Sequence, residues 1–346
     1  MLEQQTLLRL ARDYAARKAA ERPSLRSALL VGSVARGEPP LGDAVDLDIL
    51  LIDDAPPEVR SELMRLSDFV LVEAIYVSPS EHANRKALRV HHFHAPMLND
   101  ALPLHDPRHY FDLVQAAIRA PYNRSDHIYA RARSAHTAAA HAFENLLSFT
   151  EDTIPETLSF NQLAHFHDTL YLAALAVILL TGQPEAVGPR KLMVRFETAT
   201  RKLGNPELYS TFLAALGARG VPPTTVEALV NDWLTLYKAA NQREAAAIGQ
   251  TSPATHPFKR SYYERGFRSL ITEGHALNTL WLLEHNMAAC VEGLDPLPET
   301  WLNFQRLMGK TDGQQFAANC FRGAGQLLAL ADETLVAWAK AEQIEW

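Results

Sequence analysis

The chain has 346 residues, more than one ordinary hydrophobic core usually serves, so two domains are expected. A hydrophobic fraction of 47 % with 21 % charged residues excludes a largely disordered chain, and a net charge of −7 argues against a protein built to hold duplex DNA or RNA. The only cysteines, Cys290 and Cys320, lie far apart without ligand spacing, which disfavours zinc and a disulfide framework and fits a reducing cytoplasm.

The first residues carry Glu3 and glutamines where a secretory signal needs a basic start and an apolar core. The longest nearly apolar run, Leu170 to Leu180, falls short of the roughly 20 residues that cross a bilayer and reads as a buried helix. No membrane partner is expected. Leu7, Leu10, Ala11, Tyr14 and Ala15 recur at helical spacing, predicting an amphipathic helix that ends before Pro23 and packs across a sheet.

Next come two apolar runs, Leu29 to Val31 ending at Gly32 and Leu47 to Ile52, read as short buried strands. Between them lies a turn-rich segment with Gly37, Pro39, Pro40 and Gly42. Alternate side chains of a strand share a face, so Asp46 and Asp48 project to one side while Leu47 and Ile49 go to the other. Two carboxylates converging without a cation would repel each other; magnesium takes one or two carboxylates together with substrate phosphates. Gly32 and Ser33 stand where the first strand gives way to a short helix, Ser33 to Arg36, whose free amides suit a phosphate. Ser33 adds a hydroxyl, and Arg36 is within reach of the same anion. This reading requires Asp46 and Asp48 on one side of the sheet, open to Gly32.

A helix is expected from Pro57, carrying Val59, Leu63 and Leu66, followed by a strand from Phe69 to Val77 with Glu73 as its one charge. An acid isolated in a buried strand is costly unless paired, protonated or bound to a cation. Ser78-Pro79-Ser80-Glu81 opens a further short helix. His91, His92 and His94 form an ambiguous cluster, read as a surface or linker feature rather than a transition-metal site. Leu102 to His105 reads as a last short strand.

Gly32-Ser33, then twelve residues, then Asp46-x-Asp48 inside an apolar strand resembles the signature of the DNA polymerase beta superfamily of nucleotidyltransferases. The wording GSVARG is similar to that of its small bacterial members, among them the antibiotic and minimal nucleotidyltransferases. The resemblance covers about the first third of the chain. One departure is Val45, where a small polar residue often precedes the first aspartate. The resemblance implies an α+β protein: a small mixed-sheet catalytic domain over residues 1–106, then an all-α helical bundle over 107–346 that chooses the acceptor. It makes Asp46, Asp48 and Glu73 the catalytic and metal-holding acids, Glu73 as general base or second-metal ligand, with Gly32, Ser33 and Arg36 on the nucleotide. The implied cofactor is Mg2+, with Mn2+ as the substitute, and the implied reaction is transfer of AMP from ATP, or of another nucleoside monophosphate, to a small-molecule acceptor. A protein- or RNA-modifying enzyme of toxin–antitoxin type and a catalytically silent nucleotide-binding regulator are the alternatives.

Past Asp106 the periodicity is helical throughout. Helices are expected over Asp126–Ser148, Pro155–Thr181, Pro189–Leu203, Glu207–Leu216, Thr225–Arg243, Phe258–Ala289, Pro298–Met308 and Asp312–Ala341, with turns at Thr181-Gly182-Gln183-Pro184 and Gly188-Pro189. Asn161, His165 and Asp168 share one helix face, read first as a solvated or hydrogen-bonded stripe. Arg190-Lys191 and Lys259-Arg260 with Tyr262 and Tyr263 are weaker candidates for phosphate or base contact, as is Glu197 for the acceptor.

Overall fold

The computed structural model describes residues 3–148, 158–182, 188–246, 255–310 and 314–345. Two compact units divide the chain: Met1–Arg131 with Gly182–Gly188, and Ala132–Thr181 with Pro189–Trp346. The first holds helix α1 (Gln4–Glu21), strand β1 (Leu25–Val31), the single turn α2 (Gly32–Ala35), β2 (Val45–Asp53), β3 (Ser61–Arg65), β4 (Val70–Val77), α3 (Arg85–Val90), α4 (His94–Asp100), β5 (Leu102–His105) and α5 (Tyr110–Arg119).

The sheet has the order β3-β4-β2-β1-β5 and is mixed. β1 runs antiparallel to β2 and β5, β4 is parallel to β2, and β3 is antiparallel to β4. Both faces are covered. On one, Leu7, Ala11, Tyr14 and Ala15 of α1 pack against Leu30, Leu47, Ile49, Val72 and Ala74. This is the amphipathic stripe read from the sequence. On the other, Leu88, Leu98, Phe111, Val114 and Ile118 pack against Leu29, Val31, Leu50 and Ile52. Asp46 and Asp48 share strand parity with Leu50 and Ile52, so they lie on this second face.

The segment after Pro57 is not a helix. Ser61 to Arg65 pairs residue by residue with Ile75 to Leu71, and the turn is closed by Leu66 N–H to Val70 O at 2.9 Å. Val59 and Leu66 are 55 % and 37 % exposed, so the helix-like spacing of Val59, Leu63 and Leu66 gathers no buried stripe. The β4 edge supplies hydrogen-bond partners that a lone amphipathic turn lacks. The opening after Val77 is a 3-10 turn, Pro79–His82, with Ser78 and Glu81 forming a capping box.

The expected boundary at 106/107 precedes α5, whose Phe111, Val114 and Ile118 belong to the core of the sheet unit. The division falls instead at Arg131/Ala132, within helix α6 (Ser125–Ser148).

Further helices are α7 (Phe160–Leu179), α8 (Leu192–Lys202), α9 (Glu207–Leu216), α10 (Val226–Ala246), α11 (Lys259–Thr272), α12 (Leu280–Val291), α13 (Glu299–Leu307) and α14 (Gln314–Ala341). The long helix expected over Phe258–Ala289 is broken. Gly274 takes a φ of +85°, where a side chain is strained, and a 3-10 turn at Ala276–Thr279 precedes α12. Trp233 is completely buried, with Tyr237 and Phe267 edge-on to it at 5.1 and 5.3 Å. α7 is the one described helix long and apolar enough to cross a membrane, and 72 % of its window is buried inside the protein, as in a core helix. The expected helix starts at Pro155 and Asp312 and the turn residues Gln183 and Pro184 lie outside the described residues.

Candidate active site

Register assembles the acids. β1 and β2 place Val31 opposite Asp48, and the parallel pairing of β2 with β4 places Glu73 beside Asp48. Asp46 lies two residues earlier on the same face. One carboxylate oxygen from each of Asp46, Asp48 and Glu73 lies within 4.8 Å of the other two, and all three residues are half-buried. Among the described residues this is the only group of three or more His, Cys, Asp or Glu side chains so converged. Their donor set fits a hard divalent cation, which takes oxygen ligands and offsets the mutual repulsion of three acids.

Gly32 abuts this group. Its φ is +75°, and a Cβ built on it would fall 2.2 Å from Asp48 Oδ2 and 3.2 Å from Asp48 Cγ. Only a residue without a side chain lets the end of β1 approach the carboxylate so closely. Asp46 and Asp48 are therefore on one side of the sheet, and Gly32 touches the second of them.

The turn after Gly32 is held from outside and within. Gln4 of α1 donates to Val34 O at 2.6 Å, and Val34 is buried. Glu38 N–H donates to Ser33 O at 3.0 Å, and Gly37 N–H to Val34 O at 3.1 Å. Ser33 is half-buried at the start of the turn. Arg36 belongs to the same loop, where its Nε donates to Glu38 Oε1 at 2.7 Å, both side chains being little exposed. An anion at Arg36 would share the guanidinium with Glu38.

The histidine cluster and the candidates of the helical unit make contacts of their own. His91 stacks on His92 at 4.6 Å and meets His94 edge-on at 4.4 Å. His91 Nδ1 accepts from the N–H groups of Phe93 and His94, capping the start of α4, which puts its own proton on Nε2 and removes it as a neutral metal ligand. Burial pushes the His82, His91, His92 and His94 imidazoles below their ordinary range, with His94 adding to the effect on the other three. His82, only 2 % exposed, is the member the sequence reading missed.

On α7, Asn161 and Asp168 are exposed and His165 is half-buried, and burial still pushes the Asp168 carboxyl above its ordinary range. His167, buried on the same helix with Gln162 and Thr169, has its Nε2 3.0 Å from Glu284 Oε2. Lys310 Nζ donates to both Glu284 oxygens at 2.5 and 2.7 Å, and Gln305 Nε2 donates to Oε1 at 3.1 Å. Burial alone would raise the Glu284 carboxyl, but Lys310 and His167 outweigh it and hold it well below the usual range. A weaker signal was present: Glu284 is the one acid between Leu280 and Cys290, in a mostly apolar segment broken only by Glu284, His285 and Asn286.

Two sequence clusters meet in space. The Arg190 guanidinium lies 3.3 Å from the centroid of the Tyr262 ring and donates to Tyr262 O at 3.2 Å, covering one ring face. Tyr263 is buried and stacks on Phe267. Glu197 accepts from Arg201 and, at 3.1 Å, from Asn278.

No model of a known protein family matches the chain, and no curated protein matches it.

Proposed function

We propose that the chain is a divalent-metal-dependent nucleotidyltransferase of the DNA polymerase beta type, moving a nucleoside monophosphate, AMP from ATP first among them, onto a hydroxyl of a small-molecule acceptor. The observation that carries this is the meeting of Asp46, Asp48 and Glu73 oxygens within 4.8 Å beside the Gly32 corner. Asp46, Asp48 and Glu73 would hold Mg2+ or Mn2+, which when bound supplies charge neutralisation on phosphate oxygens. Ser33 Oγ and the backbone at Gly32 orient the distal phosphates, and Arg36 offers them a guanidinium shared with Glu38. Glu73 takes the proton of the acceptor hydroxyl. The acceptor oxygen then bonds the α-phosphorus, the bond to the β-phosphate oxygen breaks, and pyrophosphate leaves with its electron pair. Positioning and electrostatics do most of the work, as in other phosphoryl transfers. The helical unit selects the acceptor.

Calorimetry with ATP and Mg2+, followed by pyrophosphate release across a panel of hydroxyl-bearing acceptors, tests the reading. Asp46→Asn/Asp48→Asn should abolish release. Undiminished release by that variant refutes the site, and ATP binding with no release for any acceptor favours a regulator.

A further inference from the structure

At the opposite end of the sheet from the three acids, the α1–β1 turn, the end of β2 and the β5–α5 turn enclose a cavity of about 180 Å3. That is over ten times the roughly 10–15 Å3 that admits one water. Leu25 pairs with Asp53 at this end and Val31 with Asp48 at the other, so the two places stand six residues of β1 apart, about 20 Å. The charged residues of the lining are Arg22, Arg26, Arg108 and Asp54, with His105 and Ser24 beside them. Three guanidiniums and one carboxylate line the cavity, with the Asp53 carboxylate paired to Arg22 just behind it, so one positive charge is left over in a chain whose net charge is −7.

The donors are not equally occupied. Arg22 Nε is held by Asp53 at 2.6 Å and its Nη2 by Ala55 O at 2.7 Å. Arg26 binds Asp54 through Nη2 at 2.6 Å and lies over the Tyr110 ring at 5.0 Å. Arg108 is exposed and forms no ion pair among the described residues. Asp53 meets the Arg22 charge and Asp54 the Arg26 charge, so the cation left over in the lining is Arg108. Guanidinium forks from two separate elements match an anion with several oxygens better than a lone carboxylate.

We propose that this cavity binds a phosphate oxyanion, held by Arg26 and Arg108 across the start of β1 and the β5–α5 turn. The site stands apart from the transfer chemistry assigned to the acids and does not depend on it. The ligand is free phosphate, pyrophosphate or the phosphate of a monoester, three sources of the same chemistry.

The test is calorimetry on the full chain at constant ionic strength with a chelator present, titrating sodium phosphate, pyrophosphate and glucose 6-phosphate in separate arms. Saturable binding in the millimolar range or tighter is expected for at least one, and the tightest identifies the source. Arg108→Ala, on an exposed turn, and Arg26→Met should each weaken it by about tenfold to a hundredfold, the loss of one charge-assisted contact. Arg9→Ala, which removes a cation elsewhere, and Asp46→Asn/Asp48→Asn should leave it unchanged. No saturable binding of any arm up to about 20 mM overturns the proposal, since that concentration reaches even the weakest specific contacts. So does binding that survives both cavity variants with unaltered thermal unfolding, or binding lost in the aspartate variant.

Discussion

Replacing Gly32 by alanine perturbs the candidate site through one methyl group. The new Cβ would start 2.2 Å from Asp48 Oδ2, against an ordinary contact of 3.4 Å or more, so the carboxylate must retreat by about 1 Å or the β1 end must shift. The left-handed φ of +75° adds roughly 1–2 kcal/mol of backbone strain for any residue with a Cβ. A misplacement of about 1 Å at a reacting centre costs on the order of a hundredfold in rate. Urea unfolding should therefore show a loss of about 1–2 kcal/mol, with pyrophosphate release slowed about a hundredfold. Gly37 is the internal control. Its φ is +70°, but nothing lies within 4 Å of a Cβ there, so Gly37→Ala should carry the strain without the loss of rate. Wild-type stability and rate in Gly32→Ala, or equal rate losses in both variants, refute the idea that Gly32 exists to admit the Asp48 carboxylate.

Lys310 and Glu284 are fully buried, so Lys310→Met should cost about 3–5 kcal/mol in urea unfolding by stranding a charge, while Glu284→Leu/Lys310→Met recovers most of it; a double variant no better than the single one contradicts this. Burial, with His94 adding, lowers His82 from its ordinary 6.5 to about 4. Its folded form binds a proton less readily than the unfolded chain, so its contribution is complete above about pH 6.5 and is lost as pH falls through about 4, a change of about 3 kcal/mol. Unfolding midpoints across this window should fall less steeply in His82→Phe, and an identical slope counts against the assignment. Asp46→Asn/Asp48→Asn should be more stable than the parent in chelator, because repulsion is relieved. The parent alone should gain about 2.7 kcal/mol from Mg2+ at a hundred times its dissociation constant, which thermal shifts with and without metal will read. A Cβ on Gly323 would lie 2.8 Å from Ala215, so Gly323→Ala should loosen α14 on α9 by about 1–3 kcal/mol in urea unfolding, and an unchanged midpoint means the helices part easily.

Local chemistry is readable along the chain wherever one residue's neighbours in sequence are also its neighbours in space. The period of two at Asp46-Leu47-Asp48, the glycine at the end of β1 and the helical stripe of α1 are of this kind, and the described structure has each of them. Pairing partners are different. Nothing near Pro57 announces that Ser61 to Arg65 will meet β4 and give up a helical turn for five paired residues. Likewise, Glu73 stands out as a charge in an apolar run, but only the parallel register of β2 and β4 sets it beside Asp48. The same holds for Glu284, whose cation lies 26 residues ahead in the chain and whose histidine lies 117 behind. Strand hydrogen bonds and buried ion pairs take their energy from groups distant in sequence, so their geometry is decided by packing the whole unit and not by the pattern of any one segment.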